Sequence, residues 1–330
     1  MSNTQISFDN PGGLLASLPS VLGFVPEKSL IVVSLEKNHL GAVLRVDLSE
    51  NPLDHLGQLA AVTASAGADN TILVVVDHDE ALCPMCNEDH RRLGAALTAA
   101  LAKHQIGMAG LYAVDAITAG GNWLCLEGFG QGTHGKVDDP GSSPMAVAAV
   151  LDGRRLYGRR EELLEVISVA DPTRTAELAA VIEEVGTDPT GQVSVMDAAA
   201  AVSLVSGGAE LDDTQIANLA CSLADGTVRD ALYGLAVGPD PGRVEDTFAW
   251  LSRTLPNPWR ADALALHSFF AYSRGNGPLA GLSLEAALTI NPNHRMAALL
   301  NTALQSGMRP NRIRALAQSQ RSPSAAADRR

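Results

Sequence analysis

Every strand signal in this chain lies before about residue 127, and the remainder reads as helix after helix. A chain divided in this way does not build one sheet-centred fold. Alternating strands and helices imply layers of helix on sheet, and an unbroken run of helices implies a helical unit. The 330 residues also exceed the roughly 250–300 that one hydrophobic core serves. The predicted organisation is an α/β domain over 1–143 with a mixed sheet and covering helices, an all-α domain over 144–308, and a basic, flexible tail over 309–330.

Within the first part, residues 29–35 (SLIVVSL) form an apolar, β-branched run, and residues 40–48 alternate, with Ala42, Leu44, Val46 and Leu48 on one face. The turn at residues 36–39 makes these two a hairpin. Residues 71–77 (TILVVVD) are apolar on both faces, as a central covered strand requires. Helical spacing marks 53–66 and 88–104, and a strand pair is expected at 108–117 and 122–126. The Gly-, Asp- and Ser-rich stretch 127–144 reads as a long loop and as the domain boundary. Eleven helical stretches between 144 and 319 are separated by turn residues such as Gly207-Gly208, Gly238-Pro-Asp-Pro241 and Gly186-Thr-Asp-Pro189. From Ala261 a helix, Arg274-Gly-Asn-Gly277 and a second helix ending at Asn291-Pro292 resemble one tetratricopeptide-like hairpin. Ala280, Ala287 and Pro292 fall in register, whereas Ser268 and Ala271 occupy positions where Gly and Tyr are usual.

The block at residues 11–30 (PGGLLASLPSVLGFVPEKSL) resembles the opening of an actinobacterial family catalogued as a domain of unknown function, DUF4192. Residues 44–48, residues 228–232 (VRDAL) and the segment from Gly275 to Pro292 resemble further blocks of it. The resemblance spans nearly the whole chain. It implies an actinobacterial cytoplasmic protein and carries no activity with it. The resemblance also implies a Cys-Cys-Pro stretch after the tryptophan strand; here Trp123-Leu-Cys125 runs on into Leu-Glu-Gly without a second cysteine. Read physically, the opening block is an amphipathic helix of Leu14, Leu15, Leu18, Val21 and Leu22, stopped by Gly23.

A net charge of −13 argues against nucleic acid as a partner of the body, since Lys and Arg on phosphates supply that affinity. The charge is uneven: residues 308–330 hold six arginines against Asp328. No basic-then-apolar leader opens the sequence and no apolar run of membrane length occurs, so neither a secretory signal nor a membrane span is expected. Four cysteines in 330 residues are too few for a disulfide scaffold, and a reducing cytoplasm is the expected location.

Candidate chemistry is sparse. Gly130-Gln-Gly-Thr-His-Gly-Lys136 matches a phosphate-loop spacing, but Val137 replaces the magnesium-binding hydroxyl and Asp138, Asp139 and Pro140 follow where a helix should open. Asp77, His78 and Asp79 end the central strand, where α/β proteins commonly bind ligands. Arg155 and Arg159 flank Tyr157 and have the fork geometry to hold an anion. Cys83-Pro-Met-Cys86 stands between the central strand and a helix expected to start near Asn87, the arrangement of a redox dithiol, although Glu88 and Asp89 oppose a thiolate there. With His90, the two cysteines also supply three zinc-type ligands, but no second C-x-x-C completes the set. No hydrolase elbow or zinc-protease helix occurs. The sequence therefore predicts a cytoplasmic binding or scaffolding protein that contacts another protein through its helical half, with no cofactor expected. Two alternatives stand beside it: an enzyme or ligand sensor with its site near residues 77–90, and a metal- or thiol-dependent switch at the C-x-x-C, with zinc as the metal.

Overall fold

A computed structural model describes residues 10–128, 130–186 and 193–321. The chain forms two compact units. The first runs to Arg160 and includes Gln305–Arg309; the second holds Glu161–Leu304 and resumes at Pro310.

In the first unit, α1 (Pro11–Leu22) leads into β1 (Ser29–Glu36) and β2 (His39–Asp47). Asn10 caps α1 by accepting from the Gly13 amide, and Gly23 closes it in the left-handed conformation at φ 80°. Lys37 and Asn38 turn the hairpin, with φ of 51° and 64°, the pair of positive φ angles that a two-residue turn between twisted strands requires. Next come α2 (Leu56–Ser65), β3 (Asn70–Val76), α3 (Pro84–Ala102), β4 (Gly107–Val114), β5 (Asn122–Gly128), β6 (His134–Lys136) and α4 (Pro144–Leu151).

The six strands form one mixed sheet ordered β2-β1-β3-β4-β5-β6. Only β3 and β4 run parallel, and α3 is the crossover that parallel neighbours need. Leu73 and Val75 of β3 join Leu30, Val32, Leu97, Leu101, Leu111 and Ala113 in one core, while Ile72, Val74 and Val76 are buried on the opposite face. Helix α3 lies close against β4: a Cβ on Gly94 would stand 2.7 Å from a Leu111 methyl.

The second unit contains α5 (Arg160–Glu165), which starts at the division, α6 (Pro172–Gly186), α7 (Val195–Ser206), α8 (Asp213–Leu223), α9 (Gly226–Tyr233), α10 (Pro241–Thr254), α11 (Arg260–Ser273), α12 (Gly277–Ile290), α13 (Arg295–Gln305) and α14 (Pro310–Arg321). Helix α11 is its axis, packed by α10, α12 and α14. Phe248 stacks on Phe270 at 5.4 Å, and Tyr233 meets Phe269 at 4.1 Å. Arg260 donates to the carbonyls of Ser252 and Ile167, each at 2.7 Å, tying three segments together. No described helix is long and apolar enough to cross a membrane.

Four sequence expectations change. The boundary moves from 143 to 160, because α4 packs on α1 and Tyr157 bridges to Phe24. Residues 127–144 are not one loop, since 134–136 form the edge strand β6 and Pro140–Ser142 a short 3-10 turn. The tail is not free from residue 309: α14 buries Ile313 and Ala317, and the rest of the tail, 322–330, lies outside the described residues, as do residues 1–9, Phe129 and most of the Gly186–Pro189 turn. The hairpin at 261–290 exists as α11 and α12, but every residue of α11 from Ala263 to Ser273 is buried. That helix is core.

Candidate functional site

The C-terminal end of β3 carries a tightly braced loop. Asp77, almost fully buried, accepts from the amides of Asp79 at 3.0 Å and Glu80 at 3.2 Å through Oδ1. Lys28 Nζ donates to the same oxygen at 2.8 Å and to Asp79 at 3.0 Å. Lys28 sits at the start of β1 with φ 39°, a costly conformation that points to a constrained position. The ammonium–carboxylate bonds push the Lys28 pKa up and pull Asp79 down. Asp77 is thus a turn brace, with its Oδ1 taking three donors from the protein.

The loop is held from the other side as well. The buried Asn87 amide donates to the Ala81 carbonyl at 3.0 Å, and its oxygen faces His90 Nδ1 at 3.1 Å. Since that oxygen only accepts, Nδ1 carries the proton and Nε2 is left bare, 3.9 Å from Glu80. Burial lowers the His90 pKa against the pull of Glu80, Asp77 and Asp89, so the ring is neutral at pH 7.

This bracing fixes Cys83 and Cys86. Helix α3 begins at Pro84, three residues before the predicted start near Asn87, and Cys83 is its N-cap. The Cys83 sulfur accepts the Cys86 amide hydrogen at 3.4 Å. The Cys86 thiol and the Cys86 and Met85 amides, in that order, favour a thiolate at Cys83 and lower its pKa, against burial and Glu80. Cys86 moves the opposite way, to about 11, through its bond to Cys83, burial, and the charges of Cys83, Glu80 and Asp89. The acids that the sequence set against a thiolate are divided: Asp89 acts on Cys86, while Arg91 and Arg92 neutralise Glu88 at 3.3 Å and Asp89 at 2.9 Å.

The structure brings Asp77, Asp79, Cys83, Cys86 and His90 to one strand end, with His78 exposed on the same loop. It does not bring Arg155 or Arg159 to them. Arg155 lies over the Tyr157 ring at 5.1 Å, and Arg159 is exposed. Cys83, Cys86 and His90 are not gathered as ligands: among the described residues no group of three or more His, Cys, Asp or Glu side chains is placed to hold a metal ion. The phosphate-loop lookalike fails in space too, because Lys136 lies in β6, bonded to Asn122 at 2.6 Å, and Val137 is buried. Sequence reasoning missed Lys28, Asn87 and the helix start. Proline at the first helical position was the available signal for the last; nothing local marks the other two.

No curated protein and no solved structure matches this chain. A family model described as a domain of unknown function, DUF4192, matches residues 11–311. With all but the two ends of its length matched, the chain belongs to the DUF4192 family.

Proposed function

We propose that this protein is a cytoplasmic thiol–disulfide exchange protein of actinobacterial origin, whose Cys83–Cys86 pair reacts with a disulfide on a partner protein. The observation that carries the reading is Cys83 as the N-cap of α3, its sulfur receiving the Cys86 amide on a loop braced by Asp77 and Asn87. A helix N-terminus stabilises negative charge, and the thiolate is the nucleophile of exchange. The Cys83 thiolate attacks one sulfur of the partner's disulfide, forming a mixed disulfide and releasing a partner thiolate. Cys86 then loses its proton and attacks Cys83 Sγ. The mixed bond breaks, the second partner thiolate leaves, and the two partner thiolates take up two protons, one from Cys86 and one that Cys83 gave to solvent on ionising. The partner gains two electrons and the dyad becomes a disulfide. The composition and the sparse cysteines support a reducing cytoplasm. The interaction with a protein runs through the dithiol loop rather than through α11 and α12, whose inner helix is covered.

Cys86→Ser tests this by removing the resolving thiol. Treated with 2-hydroxyethyl disulfide, that variant accumulates an adduct mapped to Cys83 by peptide mass spectrometry, whereas the native protein passes on to the Cys83–Cys86 disulfide. Adducts confined to Cys125 or Cys221, or none at all, would refute the proposal.

A further inference from the structure

Around the dyad, three exposed acids have cationic partners: Asp79 with Lys28, Glu88 with Arg91 and Asp89 with Arg92. Glu80 is different. It is 51% exposed and, among the described residues, its one ionisable partner is the neutral His90 ring, and its charge reaches both thiols. Glu80 therefore projects an uncompensated negative charge at the mouth of the site. On the same short segment two large apolar side chains are left in water, Leu82 at 56% and Met85 at 80% exposure, the immediate neighbours in sequence of Cys83 and Cys86. A hydrophobe at helix position two is not needed to fold α3, whose apolar face is Leu93, Leu97 and Leu101.

Resting on the dithiol reading, the geometry points to a partner of one chemistry: a protein segment whose disulfide-bonded cysteine is flanked by a cationic and an apolar side chain. The cation meets Glu80 and the apolar group covers Leu82 and Met85. The same field disfavours anionic small disulfides such as oxidised glutathione, so the site selects proteins over the soluble thiol pool. Fields of this kind change association rates by about 10–10³-fold, less as salt screens them.

The full-length Cys86→Ser protein, which stops at the mixed disulfide, is reacted with symmetric disulfides of short cysteine peptides bearing Arg-Leu, Gln-Leu, Glu-Leu or Arg-Gly flanks. Each rate is divided by that of 2-mercaptoethanol with the same peptide, which removes differences in leaving-group reactivity. The Arg-Leu peptide should react about tenfold faster than the Glu-Leu peptide at low ionic strength, with Gln-Leu between them. Glu80→Gln should bring that ratio toward one. The Arg-Leu peptide should also outpace Arg-Gly about tenfold, an advantage lost in Leu82→Ser/Met85→Ser. Equal normalised rates across either comparison overturn the partner assignment while leaving exchange intact. Failure of all four peptides to react overturns the exchange reading and this one with it.

Discussion

Cys83 and Cys86 are separated by two residues and differ chiefly in what the first turn of α3 offers them. Cys83 receives the amide hydrogen bonds; Cys86 donates its own and lies nearer Asp89. At pH 7 iodoacetamide should therefore label Cys83 before Cys86, and Cys86→Ala should slow the labelling of Cys83 by removing the side-chain hydrogen bond that stabilises its thiolate; timed alkylation with mass spectrometry checks both. Asp77 carries a different weight. Its buried carboxylate satisfies two loop amides and one ammonium. Asp77→Ala strands those donors, and the first unit should lose roughly 2–3 kcal/mol, read by urea denaturation, with faster exchange of the Asp79 and Glu80 amides. The cysteine spacing and the strand before it were legible in the sequence. The bracing was not, because Lys28 and Asn87 act across 49 and six residues of chain, and the acidic Asn87-Glu-Asp89 run mimicked the first turn of a helix that Pro84 had already opened.

The elements were largely readable because each has one strong signal. β3 is apolar on both faces since both faces are covered, and four helices of the second unit, α8, α9, α10 and α12, start on an Asp or Asn cap, as with the Asp212–Gln215 capping box of α8. What a helix packs against was harder to read. The α11–α12 pair looked like a repeat module because Ala280 and Ala287 are small; in the structure both are fully buried. Ala287→Leu should therefore overpack that crossing and cost about 1–3 kcal/mol, seen as a lowered thermal midpoint. His267 of α11 belongs to the same crossing. It faces the Ser283 hydroxyl at 2.8 Å, and burial lowers its pKa to about 4 from 6.5. The unfolded chain takes up that proton first, so the stabilisation present above pH 6.5 is lost as pH falls toward 4, by roughly 3 kcal/mol in total. Amide exchange of α11 and α12 followed across that range checks the slope; a flat profile contradicts it.

On the scale of the whole molecule, the division at Arg160 places the reactive pair in one unit and the large aromatic cluster of Phe248, Phe269 and Phe270 in the other. The sequence put this division too early because Gly- and Asp-rich residues 127–144 read as a linker, whereas Trp123 packing over Gly135 and the β5–β6 pairing hold part of them in the sheet. Thiol–disulfide exchange requires the dithiol to be a cycling pair. The most direct measurement is a redox titration of the full-length protein in mixtures of reduced and oxidised dithiothreitol. Thiols are trapped by alkylation, and the peptide holding Cys83 and Cys86 is weighed at each poise. A reversible loss of two hydrogens confined to that peptide is predicted, with a midpoint inside the range of about −270 to −120 mV spanned by C-x-x-C oxidoreductases. Cys83 and Cys86 remaining two alkylatable thiols at every poise would contradict it.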